Sequence, residues 1–214
     1  MNQKVLSLDI GMSNRVLALD ISTKTGWAVV DMSKKSFKLI QAGTLPKVSE
    51  PDTAKYPINY IHWARKCSQY IYDLIEEYKP DEFVIEETSK GSKNNMSQKI
   101  IEFIHFQVAL FFLNSDLAGI AYPRTYFLTE EWRRICGCVM TKEEKKQNAE
   151  VRKQHKKGIK VAKSKENNRI GLIGKKHVNV RVANSVYGLD LILKDEDRAD
   201  ALLLAHALYL TKYK

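Results

Sequence analysis

Cysteine is scarce in this 214-residue chain, which has only Cys67, Cys136 and Cys138. An odd number without framework spacing excludes a disulfide-built scaffold and makes a reducing cytoplasm the expected compartment. Cys136 and Cys138 have no second Cys or His pair at ligand spacing, which excludes a structural zinc site. No apolar run reaches the roughly 18 residues of a membrane span. The longest, near Val108 to Leu113 and Ala201 to Ala205, suit core helices. Met1 to Lys4 lead directly into a strand-like segment without an apolar leader, so no secretory signal is expected. Acids are outnumbered by bases, 25 against 35, for a formal charge of +10. Such a balance favours a polyanionic partner. Thirteen Lys/Arg against four Glu lie between Lys142 and Lys176, so that stretch carries nearly all of the excess.

What is present is alternation of strand-like and helix-like segments. Val16–Ile21, Trp27–Asp31 and Phe37–Leu45 are apolar runs separated by short polar turns, which predicts an antiparallel meander. Ile58–Tyr78 has apolar residues at three/four spacing and is stopped by Lys79-Pro80, which predicts an amphipathic helix. Glu82–Glu87 reads as a fourth strand, Met96–Leu113 as a second helix, and Gly119–Leu128 as an edge strand interrupted by Pro123. Thr129 is the expected N-cap of a short helix containing Trp132 to Ile135. Lys142–Lys157 and Lys176–Val186 have helical character, with a loop-like stretch between them. Asp195–Tyr213 is apolar nearly all round and should be buried. This order predicts a mixed α/β sheet of five strands with helices on both faces. The expected division is an N-terminal extension over 1–15 and one domain over 16–214, with a basic insertion at about 138–175.

Four acids share a peculiarity: each ends or opens an apolar element. Asp20 ends VLALD, Glu86 ends FVIE, and Asp197 and Asp200 open the most apolar helix. Buried carboxylates need partners because desolvating a charge is costly. The local sequence offers no matching set of basic residues, and divalent cations would supply the counter-charge. Asp197 and Asp200, three apart on a helix, face one spot. Hard oxygen ligands from several segments suit Mg²⁺, and a pair of such ions serves phosphodiester hydrolysis. Asp9, in VLSLD, competes with Asp20 in VLALD for the same role. Asp20 is preferred because a Gly-containing turn and two further strands follow it at once. His206 lies about 240° around the helix from Asp200, which suits core packing better than catalysis.

The segments LALDISTKTGWAVV, FVIEE and DEDRADALLLAHAL resemble the RuvC family of Holliday-junction resolvases, within the ribonuclease H-like superfamily. The likeness covers about Val16 to Tyr213, is weakest in the middle, and looks nearer to phage-type members. It departs from the family at the first turn, where Asp20-Ile21-Ser22 stands in place of D-P-G. The resemblance implies a ribonuclease H-like fold and metal-binding acids at Asp20, Glu86, Asp197 and Asp200, with Glu87 and Asp195 as neighbouring substitutes. It further implies two Mg²⁺ ions, with Mn²⁺ able to replace them, and a homodimer formed largely by the second helix. That helix carries more apolar surface than one buried face requires.

The activity implied is structure-selective cleavage of four-way and other branched DNA in recombination and repair. Expected DNA contacts are Lys24, then Lys90, Lys93 and Asn94 in the loop after Glu86, and Arg133 or Arg134 in the WRRICG segment. Lys156, Lys157, Lys175 and Lys176 in the basic stretch complete the set. Two competing readings use the same scaffold: a ribonuclease H-like enzyme acting on RNA–DNA hybrids or flaps, and a catalytically inert nucleic-acid-binding protein. No membrane is expected among the partners. The expected location is the cytoplasm of a bacterium or of a phage-infected host.

Overall fold

The computed structural model describes residues 14–48, 55–88, 95–157 and 171–214. The first strands follow from their composition. Val16-Leu17-Ala18-Leu19 has no polar position because both faces of the sheet are covered, so its alternate side chains enter two different cores. These residues form β1 (Asn14–Asp20), which pairs antiparallel with β2 (Gly26–Ser33). β2 pairs antiparallel with β3 (Ser36–Thr44), completing the predicted meander. β4 (Glu82–Glu86) lies parallel to β1 on its other side, and β5 (Arg124–Phe127) extends the sheet parallel to β4. The order is therefore β3-β2-β1-β4-β5, with β1 and β4 adjacent at its centre.

Helices α1 (Ile58–Tyr78) and α2 (Asn95–Leu117) cover one face, over Leu17, Leu19, Phe83 and Ile85. The other face, with Val16, Ala18, Val84 and Ala28, packs under α3 (Thr129–Ile135), α5 (Lys175–Tyr187) and α6 (Glu196–Tyr213). Between α3 and α5 lies α4 (Lys142–Lys156). The predicted α/β sheet with helices on both faces is what is observed.

Several boundaries differ for local reasons. β5 begins only at Arg124, because Pro123 has no N–H for the ladder; its carbonyl still accepts from the Phe83 amide at 2.9 Å. Thr129 is not an N-cap. Leu128 precedes the helix, and the Glu131 side chain accepts from its amide at 2.9 Å, while the Thr129 hydroxyl is drawn elsewhere. α6 starts at Glu196, after a 3₁₀ turn over Leu193–Asp195. α2 is longer than its periodicity indicated, and Gln98–Leu117 is long and apolar enough to cross a membrane by length and composition. In the fold its inner stripe, Ile100, Ile104, Val108 and Phe112, is buried with α1, while Phe106, Leu113 and Leu117 face outward.

Candidate active site

β1 and β4 run parallel, so their carboxyl ends emerge side by side. Leu19 pairs with Ile85, which sets Asp20 and Glu86 next to each other at the carboxyl end of the two central strands. α6 delivers the other two acids, and a glycine decides how closely it approaches. A Cβ on Gly26, across from Asp20 in the ladder, would stand 1.9 Å from the Asp197 carbonyl oxygen. Only glycine lets the first turn of α6 rest on the start of β2. The turn before it is tied by the Thr25 hydroxyl, which donates to the Ser22 carbonyl at 2.8 Å and accepts from the Ser22 amide.

The electrostatics register this convergence. Burial holds the Asp20 carboxyl well above the usual range, and the charges of Glu86, Asp200 and Asp197 push it further; Lys176 opposes them. Burial likewise lifts Asp200 to about 7, against the Asn179 hydrogen bond that favours its ionised form. Asp197 is raised by burial, with Lys24 opposing. A cavity of about 200 Å³ opens beside the acids, lined by Asp20, Glu86, Glu87, Ser22, Gln98 and His105. Asp20 lines the cavity and remains partly accessible. Burial lowers the His105 pKa to about 4, so its imidazole faces the cavity uncharged at neutral pH.

Three residues that orient the acids were not legible in the sequence. Glu86 accepts from the Thr129 hydroxyl at 2.6 Å on Oε1 and from the buried Trp132 indole N–H at 2.8 Å on Oε2. Asn179, on α5, donates to Asp200 Oδ1 at 2.6 Å. Their only sequence signal was polarity inside otherwise apolar or short helices, which has many other causes. The expectation that no basic residue sits beside the acids needs correction. Lys24 Nζ is 3.5 Å from Asp197 Oδ2, and Lys176 pairs with Glu196 within electrostatic reach of Asp20 and Asp200. Both cations come from segments distant in sequence from the acids they touch.

Of the two substitute acids, Glu87 lines the cavity but is exposed, its amide bonded to the Phe127 carbonyl. The Asp195 carboxylate accepts from the Ile192 amide at 3.0 Å and closes the 3₁₀ turn. Among the expected DNA contacts, Lys24 and Lys176 border the acids. Arg133 lies over the Trp132 ring at 5.7 Å and lowers the Asp200 pKa. Arg134 is exposed on the same helix. Lys175 is exposed at the start of α5, and Lys156 and Lys157 sit at the far end of α4. Lys90, Lys93, Asn94 and Asp9 fall outside the described residues. His206 packs among Phe37, Tyr187 and Tyr209.

Among the described residues, no three His, Cys, Asp or Glu side chains already stand around one point as a metal cage. The donor chemistry nevertheless suits a hard divalent cation. Carboxylates converge with their charge incompletely balanced, and Asn179 Oδ1 beside Asp200 is buried without a hydrogen-bond partner.

No protein-family model and no curated relative matches the chain. Solved structures do. The chain is similar to a structure of Thermus thermophilus RuvC (TM-score 0.55, 15% identity, covering 91% of this chain and 94% of that one). It is also similar to T. thermophilus RuvC in complex with Holliday junction substrate (0.54, 13%, 91% and 94%). A third likeness is to the yeast mitochondrial Holliday junction resolvase (0.54, 12%, 92% and 78%). The chain thus has a RuvC-like resolvase fold.

Proposed function

We propose that this protein is a metal-dependent nuclease that cuts four-way DNA junctions. The observation that carries the reading is the meeting of Asp20, Glu86, Asp197 and Asp200 from β1, β4 and α6, with too few cations beside them. A fold shared with junction-resolving proteins supports it. Asp20, Glu86, Asp197 and Asp200 would hold two Mg²⁺ ions, which when bound supply Lewis-acid stabilisation of the reacting phosphate and an activated water.

The chain's own groups then have separable tasks. Thr129 and Trp132 hold both oxygens of Glu86 and fix its direction. Asn179 favours the ionised form of Asp200, keeping it available as a donor. Lys24 neutralises Asp197 and, at 48% side-chain exposure, is free to move to a phosphate once a cation takes its place. Arg133, whose charge reaches Asp200, would meet the scissile phosphate.

The outward face of α2 supports a two-fold dimer. Phe106, Leu113 and Leu117 are 57%, 53% and 79% exposed and share one side of the helix, opposite its buried stripe. Two matched sites would give two matched cuts.

The test is a substrate panel of a synthetic four-way junction, a linear duplex and an RNA–DNA hybrid, each with Mg²⁺, with Mn²⁺ and with chelator. Paired cuts in the junction that require metal and vanish in Asp20→Asn, with junction binding kept, are the expected result. Cleavage of the hybrid alone would replace this reading with a ribonuclease H-like one. Binding without any cleavage would leave a nucleic-acid-binding protein.

A further inference from the structure

α4 has almost nothing to bury. Ala149 and Val151 are its only aliphatic residues, and Asn148 is its only buried side chain. Such a helix is not placed by a core; polar hooks along one side place it. The Thr141 hydroxyl accepts from the Glu144 amide, and the Glu144 carboxylate accepts from the Thr141 amide. Asn148 pairs with both backbone groups of Ile173, accepting at 2.8 Å and donating at 2.9 Å. Arg181 on α5 donates to Glu144 and to the Val139 carbonyl, each at 2.9 Å. The helix therefore has a fixed rotation about its axis.

That rotation presents an unusual surface. At 3.6 residues per turn, Lys142, Lys145, Lys146, Arg152, Lys153 and Lys156 fall within an arc of about 120°. All six are exposed. Ala149 occupies the middle of the arc, and Glu143, Glu144 and Glu150 lie outside it. A merely solvated helix interleaves opposite charges at three- and four-residue spacing. Within the arc like charges occupy those spacings, as in Lys142/Lys146 and Arg152/Lys156, and only Glu143 and Glu150 at its border stand at such a spacing from Lys146 and Lys153. Lys142 and Lys145 also stand in the first turn, beside Glu143 and Glu144, where the macrodipole disfavours cations. A bound polyanion relieves both penalties.

We propose that this arc is a docking surface for the sugar–phosphate backbone of a DNA duplex, separate from the acid cluster. The helix spans about 21 Å from Lys142 to Lys156, equal to about six steps at 3.4 Å of rise. Ala149 leaves no bulk to hold the backbone away. Apart from Ala149 the arc carries only cations, with none of the amide or carboxylate side chains that read adenine or cytosine, so its contacts go mainly to phosphates and depend little on sequence. It also carries no large apolar residue, which interfacial membrane helices use to enter a bilayer. The inference rests on the nucleic-acid reading of the protein but not on catalysis.

The test compares the triple variant K142A/K146A/K153A with K34A/K35A/K38A, which removes the same charge from an exposed β-turn region. Binding of the full chain to a 30-base-pair duplex and to a four-way junction is measured in chelator across a salt series. The arc variant should lower the slope of log affinity against log salt by about 2–3, near 0.9 for each phosphate that is no longer neutralised. The control should move it by less than about 1. Circular dichroism should show both folded. Equal slopes in the two variants would overturn the surface, and so would loss of binding to phosphatidylserine vesicles in the arc variant with duplex binding intact. A wild-type protein that binds duplex through the arc but never cuts a junction would sink the nuclease reading and leave this surface standing.

Discussion

The two ends of β4 carry buried or half-buried glutamates in opposite circumstances. At the start of the strand Glu82 is 3% exposed and fully answered: Lys212, near the end of α6, and Asn14 each approach it to 2.5 Å. At the other end Glu86 receives only neutral donors, and it shares its surroundings with Asp20 and Asp200, whose carboxyls its charge pushes upward. α6 spans both situations, with Asp197 and Asp200 at its beginning and Lys212 at its end. A buried carboxylate with its own cation is part of the fold. A group of carboxylates short of cations, beside a cavity, costs stability and calls for something to fill the deficit.

The largest expected effect that tests this contrast is at the answered end. Lys212→Ala leaves Glu82 buried without its cation and should destabilise the protein by about 3 kcal/mol in chemical denaturation. Adding Glu82→Gln to that variant should restore most of the stability. At the unanswered end the sign reverses. Asp20→Asn should raise the thermal midpoint in chelator, because it removes a charge repelled by three others, while abolishing cleavage.

Trp132→Phe keeps an aromatic ring in the core, with a small cavity beside it, and deprives Glu86 of one donor. Metal-dependent cleavage should fall about 10–100-fold, as for other groups that orient metal ligands, with partial recovery at high Mn²⁺. An unchanged rate would remove Trp132 from the site.

The last test is a pH dependence of stability in chelator. Asp200 titrates at about 7 when folded and near 3.9 when unfolded, so the native state binds the extra proton between those values. Stability should therefore fall as pH rises from about 4 to 7 and level off above. His105, lowered to about 4, acts in the opposite sense, reducing stability as pH falls below about 6.5. Comparing Asp200→Asn with the wild type cancels the histidine contribution, and the gap between them should open with rising pH.

Much of the architecture was readable because it depends on nearest neighbours along the chain. VLAL and FVI are apolar without interruption, and the three/four spacing of Ile58–Tyr78 matches the observed helix at both ends. Boundaries were misread where one atom mattered more than the pattern, as with the missing N–H of Pro123 and the hydroxyl of Thr129 diverted to Glu86. The acids stood out because each interrupts an apolar run. Their orienting partners did not, since Trp132 and Asn179 reach Glu86 and Asp200 across 46 and 21 residues.

The sequence by itself determined the strand and helix content, the apolar cores and the positions where a carboxylate would be forced toward the interior. Those are consequences of side-chain periodicity and of the cost of burying charge. The packing of α6 on Gly26, the Lys24 and Lys176 counter-charges and the rotation of α4 were decided only in three dimensions. Each depends on groups far apart in the chain meeting at distances of a few ångströms, and no local pattern encodes such a meeting.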